Sequence, residues 1–338
     1  MISALHNYFV FLKRCGRVAL IGDWRYYAWM GALTVVCLFG LNAYAKQLVN
    51  GLIITGMSDE VSWGVYIANF TFLVGVAAAA VMMVIPVYIY DNKELHDLVI
   101  FGELLAVAAI IMCLAFVTVD LGRPDRFWHL IPGIGQMNFP SSMLSWDVLV
   151  LNGYLILNVH ICGYLLYSKY QNKSPAKWFY IPFVFLAIAW AVSIHTVTAF
   201  LYVGLGGRPF WNASIVGPRF LASAFTAGPA IIILALQIIR KFTTYTVTNK
   251  AILTLRSIVQ VSMIINVFLL ACEVFKEFYS GTTHSASAKY LFIGLHGHYA
   301  LVPWIWTAIT FNLIAMGILV LPVSRSLRWL DVACVLSI

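Results

Sequence analysis

The chain has 338 residues, of which 62% are hydrophobic and only 10% are charged. A soluble domain carries roughly 25% charged residues, so the composition excludes an ordinary soluble enzyme and predicts a protein embedded in membrane lipid. The formal net charge is +8, but the basic residues lie beside the apolar runs. This charge is therefore not interpreted as a surface for nucleic acid.

The predicted elements begin with residues 1–26, which form a cytoplasmic or interfacial amphipathic segment. Its apolar run is too short for a signal peptide, and no small-residue cleavage site follows it. Eight apolar runs then reach the length of about 20 residues that crosses roughly 30 Å of hydrocarbon. These runs are 27–50, 61–90, 98–119, 142–167, 178–203, 219–240, 256–278 and 300–322.

The predicted fold class is an all-α polytopic membrane protein, because such spans satisfy their backbone hydrogen bonds as helices. A ninth run begins at Trp329, and the sequence ends inside it. We therefore expect eight complete transmembrane helices plus the start of a ninth, with a C-terminal part that the natural product has in addition.

The distribution of Lys and Arg predicts the orientation. Fourteen of the 21 basic residues fall on the side of the N-terminus, and the positive-inside rule then places that terminus in the cytoplasm. The loops at 117–130, 204–212 and 284–299 lie on the outer face in this orientation. They carry the unusual clusters of charged and aromatic residues, so we expect function to be concentrated there.

Cofactors that are held by Cys or His pairs are not predicted for this chain. Its six cysteines are scattered without the spacing of an iron–sulfur or c-type haem motif. His160 and His195 differ in predicted depth by about 15 Å at 1.5 Å per residue, so they cannot share a haem iron. We expect no haem, no iron–sulfur cluster and no metal site in the chain itself.

A layer of polar side chains near the outer ends of five helices is the main candidate site. Ionisable groups inside a membrane are costly and usually face a cavity or a partner. The layer consists of Asn69, Asp120, Asp147, His195 and Glu273. Aromatic residues at similar depth accompany it: Trp63, Tyr66, Trp146 and Phe200, with Trp211 in the loop above. The inner half holds only Glu103 and His160.

Each of these residues also has a purely structural interpretation. A Trp can belong to the interfacial aromatic belt, Asp147 can stabilise a helix N-terminus, and Asp120 can pair with Arg123 three residues later. Convergence from five helices favours a common site instead. Such a layer suits a quinone, whose flat ring needs an aromatic slot with a donor at each oxygen and whose redox chemistry moves protons.

Several motifs resemble the NrfD-like family, which includes the membrane subunit of polysulfide reductase. These are "SWGVYIANFTFLVGVAAAA" (62–80), "VDLGRPDRFWHL" (119–130) and "SSMLSWDVLVLNGYL" (141–155). Two further motifs, at 193–230 and 290–306, resemble a narrower branch of that family. This branch contains the DsrP and HmcC membrane subunits of the transmembrane redox complexes of sulfate reducers.

The resemblance implies a multi-pass subunit of a respiratory complex in a prokaryotic inner membrane, with exchangeable menaquinone as its electron carrier. It also implies a periplasmic ferredoxin-like iron–sulfur partner, a multihaem cytochrome c, a haem-b membrane subunit and a cytoplasmic iron–sulfur subunit. The family fold consists of two related four-helix bundles. The expected division is a first helix with its outer loop at 27–60, a first bundle at 61–203 and a second, incomplete bundle at 204–338.

The working hypothesis places the quinone among the first bundle's helices and gives each candidate a role. Asp120, Asp147 and His195 handle protons, while Asn69 and Tyr66 orient the ring. The slot is walled by Trp63, Trp146 and Phe200. The proton path uses Glu103, His160 and Glu273, and the partner docks on Arg123, Arg126, Arg208 and Trp211.

Two alternatives from other classes stay open. One is a structural membrane anchor without its own quinone site. The other is a secondary transporter, which would have paired helix interruptions near the midplane; Gly228-Pro229 is one such interruption. Quinol oxidation and quinone reduction are both compatible with the polar layer.

Overall fold

The computed structural model describes residues 2–59, 61–279 and 281–338. Across these ranges the chain forms twelve α-helices and no strand, which confirms the predicted all-α class. The helices are α1 (Ile2–Ala19), α2 (Trp24–Asn50), α3 (Val65–Ala77), α4 (Ala79–Tyr88), α5 (Val99–Asp120), α6 (Met143–Tyr170), α7 (Lys177–Val203), α8 (Val216–Phe242), α9 (Asn249–Tyr279), α10 (Ala286–Phe292), α11 (Val302–Val320) and α12 (Leu327–Ser337).

Eight candidate spans are found among the described residues, and each overlaps one of the eight predicted runs. The protein is therefore a multi-pass integral membrane protein. The predicted ninth run corresponds to α12, which begins two residues before Trp329.

The second span differs from the prediction because it is two helices that meet at Ala78. The N–H of Ala78 donates to the carbonyl of Gly75, three residues back, at 3.2 Å, so the regular helical pattern is interrupted there. Gly228 of α8 lies against this interruption: an added Cβ would be 2.9 Å from the backbone nitrogen of Ala79. On the α5 side, a Cβ on Gly102 would lie 3.3 Å from Cα of Ala80. Small residues thus permit close helix packing around the interruption.

The helices pack in two successive groups that meet along α8. The first group is α3 to α7, and the second is α8, α9, α11 and α12. Helix α8 packs against α3, α4 and α7 and so joins the two groups. This arrangement is compatible with two bundles, and the domain boundaries at residues 61, 203 and 204 stay a prediction.

Helix α2 lies at the periphery, and the apolar window of its span has no buried residue. One buried glutamine attaches its outer end to the neighbouring helices. Tyr66 donates its hydroxyl to Oε1 of Gln47 at 2.8 Å, and Nε2 of Gln47 donates to the carbonyl of Val119 at 2.7 Å. These two bonds fix the outer end of α2 beside α3 and α5.

The first helix is attached to the last turns of α6 by aromatic contacts. Phe11 is buried, and its ring centroid is 5.3 Å from those of both Tyr167 and Tyr170. The guanidinium of Arg14 lies 5.5 Å from the Tyr170 ring centroid, close enough for a cation–π contact. The N-terminal segment is thus packed against the helix bundle.

Candidate functional site

A cavity of about 750 Å³ lies between the two helix groups, near their outer ends. Helices α3, α7, α8, α9 and α11, the end of α12 and the loop before α8 provide its walls. We call it the outer cavity. Its volume falls within the range of roughly 300–1,000 Å³ that is usual for small-molecule sites.

One wall of the outer cavity is a cluster of aromatic side chains. The rings of Trp63 and Trp211 are stacked with centroids 6.4 Å apart. Tyr202 meets Trp63 edge-on at 5.3 Å and Trp211 edge-on at 5.1 Å, and Phe220 packs against the same Tyr at 5.5 Å. The cluster offers flat apolar surfaces to a planar ligand.

The lining also contains an ion pair between Arg219 of α8 and Glu273 of α9. The Glu273 side chain is 1% exposed, whereas the Arg219 side chain is 28% exposed. Thr71, Thr226, Asn266 and Asn312 also line the cavity. Nδ2 of Asn266 lies 3.5 Å from Oδ1 of Asn312. The cavity therefore combines apolar walls with several hydrogen-bonding groups.

The cavity opens sideways between α3 and α11. Its lining residues Val65 and Ala68 on α3 are exposed, as are Leu301, just before α11, and Ala308 on α11. Val65, Ala68 and Ala308 lie on candidate membrane spans, so the opening lies between two spans.

The structure brings only part of the predicted layer to this cavity. Trp63, Trp211 and Glu273 line it. Trp146 and Phe200 are exposed on outward faces, and the side chain of Asn69 donates to its own helix at Val65. We expected a slot among the helices of the first bundle, whereas the cavity is bounded by helices of both groups.

Asp147 and His195 are buried inside the first group, behind the cavity. The hydroxyl of Thr198 donates to Oδ1 of Asp147 at 2.8 Å. Nδ1 of His195 is 2.6 Å from the carbonyl oxygen of Ala191. Among the described residues, Nε2 of this His and Oδ1 of Asp120 are buried without a hydrogen-bond partner.

Tyr202 connects the outer cavity with this buried polar group. Its ring lines the cavity, its hydroxyl is hydrogen-bonded to Thr71, and it lies within electrostatic range of both Asp120 and Asp147. Sequence reasoning missed Tyr202, since nothing in the local pattern distinguishes it from the rest of the chain's 17 tyrosines. It also missed Arg219. Arginine is rare inside membrane helices, and this rarity could have indicated Arg219 as a candidate.

The two candidates of the inner half lie in different surroundings. Glu103 is buried, with Oε2 unpartnered among the described residues, and Tyr88 and Tyr154 are within electrostatic range of it. The ring of His160 packs against Phe179 instead, with centroids 5.3 Å apart, and against Phe183, with centroids 4.5 Å apart. The roles of Glu103 and His160 in a proton path stay predictions.

The outer loop after α5 is polar at its start and apolar further on. Arg123 pairs with Asp125 at 2.9 Å, and this guanidinium lowers the pKa of the Asp125 carboxyl. Both groups are exposed, so the pair contributes little to stability. Arg126 is exposed, as are the large side chains of Phe127 and Trp128, so this loop offers a mixed surface to a partner.

The second outer loop, before α8, folds through backbone bonds at Arg208. Its carbonyl accepts the N–H groups of Trp211 and Asn212, both at 2.9 Å, which holds the Trp ring over the cavity. The docking role of Arg208 stays a prediction. Within the three described ranges, no three His, Cys, Asp or Glu side chains converge on a position for a metal ion.

The Thr198–Asp147 bond gives a stability prediction. Replacing Thr198 with Val leaves a buried carboxylate oxygen without its donor, which we expect to cost about 1–3 kcal/mol. Thermal unfolding of the purified protein measures the effect. Thr196→Val is the matched control, because that hydroxyl bonds only within its own helix, to Val192, at a partly exposed position. Equal stability of the two variants would contradict the assigned bond.

Comparison with known proteins shows similarity over most of the chain. Residues 54–338 match the family model described as "Polysulphide reductase, NrfD". A protein of Halobacterium salinarum that is named as a membrane subunit of dimethyl sulfoxide reductase is 27% identical over 72% of this chain and 59% of its own length. An "Hdr-like menaquinol oxidoreductase integral membrane subunit" of Archaeoglobus fulgidus is 24% identical over 92% of this chain and 75% of its own length.

A third relative is the "Menaquinone reductase, integral membrane subunit" of Nitratidesulfovibrio vulgaris. It is 24% identical over 49% of this chain and 38% of its own length. The chain thus spans between 38% and 75% of the length of these three relatives. All three are described as membrane subunits.

Proposed function

The chain belongs to the NrfD polysulphide reductase family, and from this premise we propose that it is the quinone-exchanging membrane subunit of a respiratory oxidoreductase. Menaquinone is the proposed carrier, because two of the relatives are named for menaquinol or menaquinone chemistry. The outer cavity is the proposed binding site. The observation that carries the proposal is the combination of aromatic walls, a partly buried ion pair and a lateral opening in one cavity.

The residues around the cavity fit the chemistry of a quinone head group. Trp63 and Trp211 provide a flat wall for the ring, and Arg219 and Asn266 provide N–H donors for its carbonyl oxygens. The opening between α3 and α11 suits an isoprenoid tail that stays in lipid. A bound quinone supplies two-electron, two-proton redox chemistry, while the chain's own residues orient it and exchange its protons.

We keep the proposed role in proton handling for Asp120, Asp147 and His195. These residues do not contact the quinone ring directly in this proposal. In this proposal Tyr202 lies between them and the cavity, within electrostatic range of both carboxylates. Protons pass between the ring and these groups through the Tyr202 hydroxyl and Thr71. Glu103 is the proposed inner end of the same route.

The proposed redox partner is a periplasmic iron–sulfur protein that docks on the outer loops. The exposed Phe127 and Trp128 provide apolar contacts, and Arg123, Arg126 and Arg208 provide charge complementarity to an acidic partner. The proposed assembly also contains a multihaem cytochrome c, a haem-b membrane subunit and a cytoplasmic iron–sulfur protein. All three named relatives are described as subunits, which supports an assembly of several chains.

The binding proposal is tested with a Trp63→Ala variant of the purified complex. We expect the affinity for a menaquinol analogue to fall about tenfold, which corresponds to about 1.4 kcal/mol and to the upper range of aromatic pair energies beyond area burial. Quinone content and the substrate dependence of turnover are the measurements. Trp178→Ala is the control, because Trp178 is 80% exposed at the inner end of α7, away from the cavity.

The same preparation distinguishes the alternative functions. A wild-type complex without bound quinone and without quinone-dependent electron transfer would replace the proposal with a structural anchor. Solute uptake by vesicles that lack a redox partner would favour a transporter. Stoichiometric quinone that is lost in Trp63→Ala but kept in Trp178→Ala supports the outer cavity as the site.

A further inference from the structure

A second cavity of about 340 Å³ adjoins the outer cavity and shares one wall with it. We call it the side cavity. Glu273 lines both cavities, and its side chain is 1% exposed. A buried carboxylate thus stands between the outer cavity and the side cavity.

The side cavity lies at the aqueous outer surface. Asn212 and Ser214, which line it, belong to the exposed loop before α8. Lys276, on the other side, is 54% exposed. Solvent on the outer face therefore reaches the side cavity along polar side chains, whereas the outer cavity opens between two spans.

The charged groups that face Glu273 come from two helices. Arg219 of α8 forms an ion pair with it, and Lys276 and Glu277 of α9 lie within electrostatic range. Lys276 donates to Glu277 at 2.5 Å, so the second carboxylate has its own cation. Glu277 is as buried as Glu273 but lines neither cavity. Only one of the two carboxylates is placed to pass a proton between the cavities.

We infer that Glu273 exchanges protons between the quinone in the outer cavity and the outer aqueous phase, through the side cavity. This inference rests on the proposed function. When a hydroquinone is oxidised, its two electrons pass to one-electron metal centres of a partner protein. Its two O–H bonds break: one proton passes to a carboxylate oxygen of Glu273 and then to solvent, and the other leaves along the proposed route through Thr71 and the Tyr202 hydroxyl. Quinone reduction uses the same routes in the opposite direction, and Arg219 holds the carboxylate in position.

The test is Glu273→Gln in the assembled complex, with Glu277→Gln as the control matched for burial, helix and charge. Glutamine keeps the shape of the side chain but cannot carry the proton. In Glu273→Gln we expect turnover to fall by roughly tenfold or more, quinone content to stay at the wild-type level, and the solvent deuterium isotope effect on turnover to rise. In Glu277→Gln we expect less than about a twofold change in all three quantities, because proton transfer does not involve that carboxylate.

Two results would overturn the inference. Wild-type turnover in Glu273→Gln would show that protons take another route, and equal losses in both variants would assign the effect to charge at this end of α9. Absence of bound quinone from the wild type and from the Glu277→Gln control alike would instead refute the proposed function, so the two failures are distinguishable.

A cysteine in the side cavity provides an independent measurement. Cys272 lines that cavity, and a membrane-impermeant methanethiosulfonate added from the outer side would attach a bulky group there. We expect this treatment to slow wild-type turnover severalfold and to leave the rate of Cys272→Ser unaffected. Unchanged wild-type turnover after complete modification of Cys272 would contradict proton exchange through the side cavity.

Discussion

Replacing Arg219 with Leu is expected to lower the free energy of unfolding by about 3–5 kcal/mol, the usual cost of leaving a buried charge without its partner. Glu273 is 1% exposed, so its carboxylate depends mainly on Arg219 for charge compensation. The remaining cation nearby, Lys276, already binds Glu277. Thermal unfolding of the detergent-purified protein measures the loss.

The double variant Arg219→Leu/Glu273→Leu separates stability from function. Replacing both charges with apolar side chains is often neutral or stabilising, so we expect its unfolding temperature to return close to that of the wild type. Turnover should stay low, because the proposed proton group is absent. A double variant that remains as unstable as Arg219→Leu would show that the pair contributes packing rather than charge compensation.

Replacing Gly228 with Ala is expected to cost about 1–3 kcal/mol, as overpacking does elsewhere in tightly packed cores. The new Cβ would lie 2.9 Å from the nitrogen and 3.1 Å from Cα of Ala79. Both are backbone atoms, which cannot move aside as the end of a flexible side chain can. Helices α4 and α8 would have to separate, so the unfolding temperature should fall.

Gly217→Ala is the control for this prediction. Gly217 lies on the same helix and is also buried, but an added Cβ there meets no atom within 4 Å. Both glycines precede a proline, which disfavours helical backbone for a residue with a Cβ and offsets the higher helix propensity of alanine, so the control variant should be close to neutral. Equal effects at the two positions would mean that helix propensity, and not the contact with Ala79, determines the result.

The helical class and the spans were predictable because they depend on local hydrophobicity. An apolar run of about 20 residues has to be helical wherever its neighbours lie, and the predicted limits of 178–203, for example, differ from those of α7 by one residue at the start. The interruption at Ala78 was not predictable in this way. It lies in a uniform run of small apolar residues. The local sequence does not show that this run packs against Gly228, which is distant in the chain.

The sequence predicts how deep in the membrane the candidate residues lie, but not which of their side chains come together. Depth follows from distance along a helix, and Trp63, Trp211 and Glu273 all line the outer cavity as residues near the outer ends. Which way a side chain points depends on how the helices are rotated about their axes, and neighbouring positions diverge: Ala199 is buried whereas Phe200 is exposed. Helical rotation is set by packing across the bundle, which hydropathy does not encode.

The interruption at Ala78 divides the second span into two helices that differ in how much of their surface is buried. The inner helix, α4, has eight buried residues among its ten, so neighbouring helices pack against most of its surface. The outer helix, α3, has four buried residues among its thirteen. It contains Val65, Ala68 and Thr71, which line the outer cavity. One crossing thus joins a half that is packed on nearly every side to a half with most of its residues partly or fully exposed, and the less buried half lines the outer cavity.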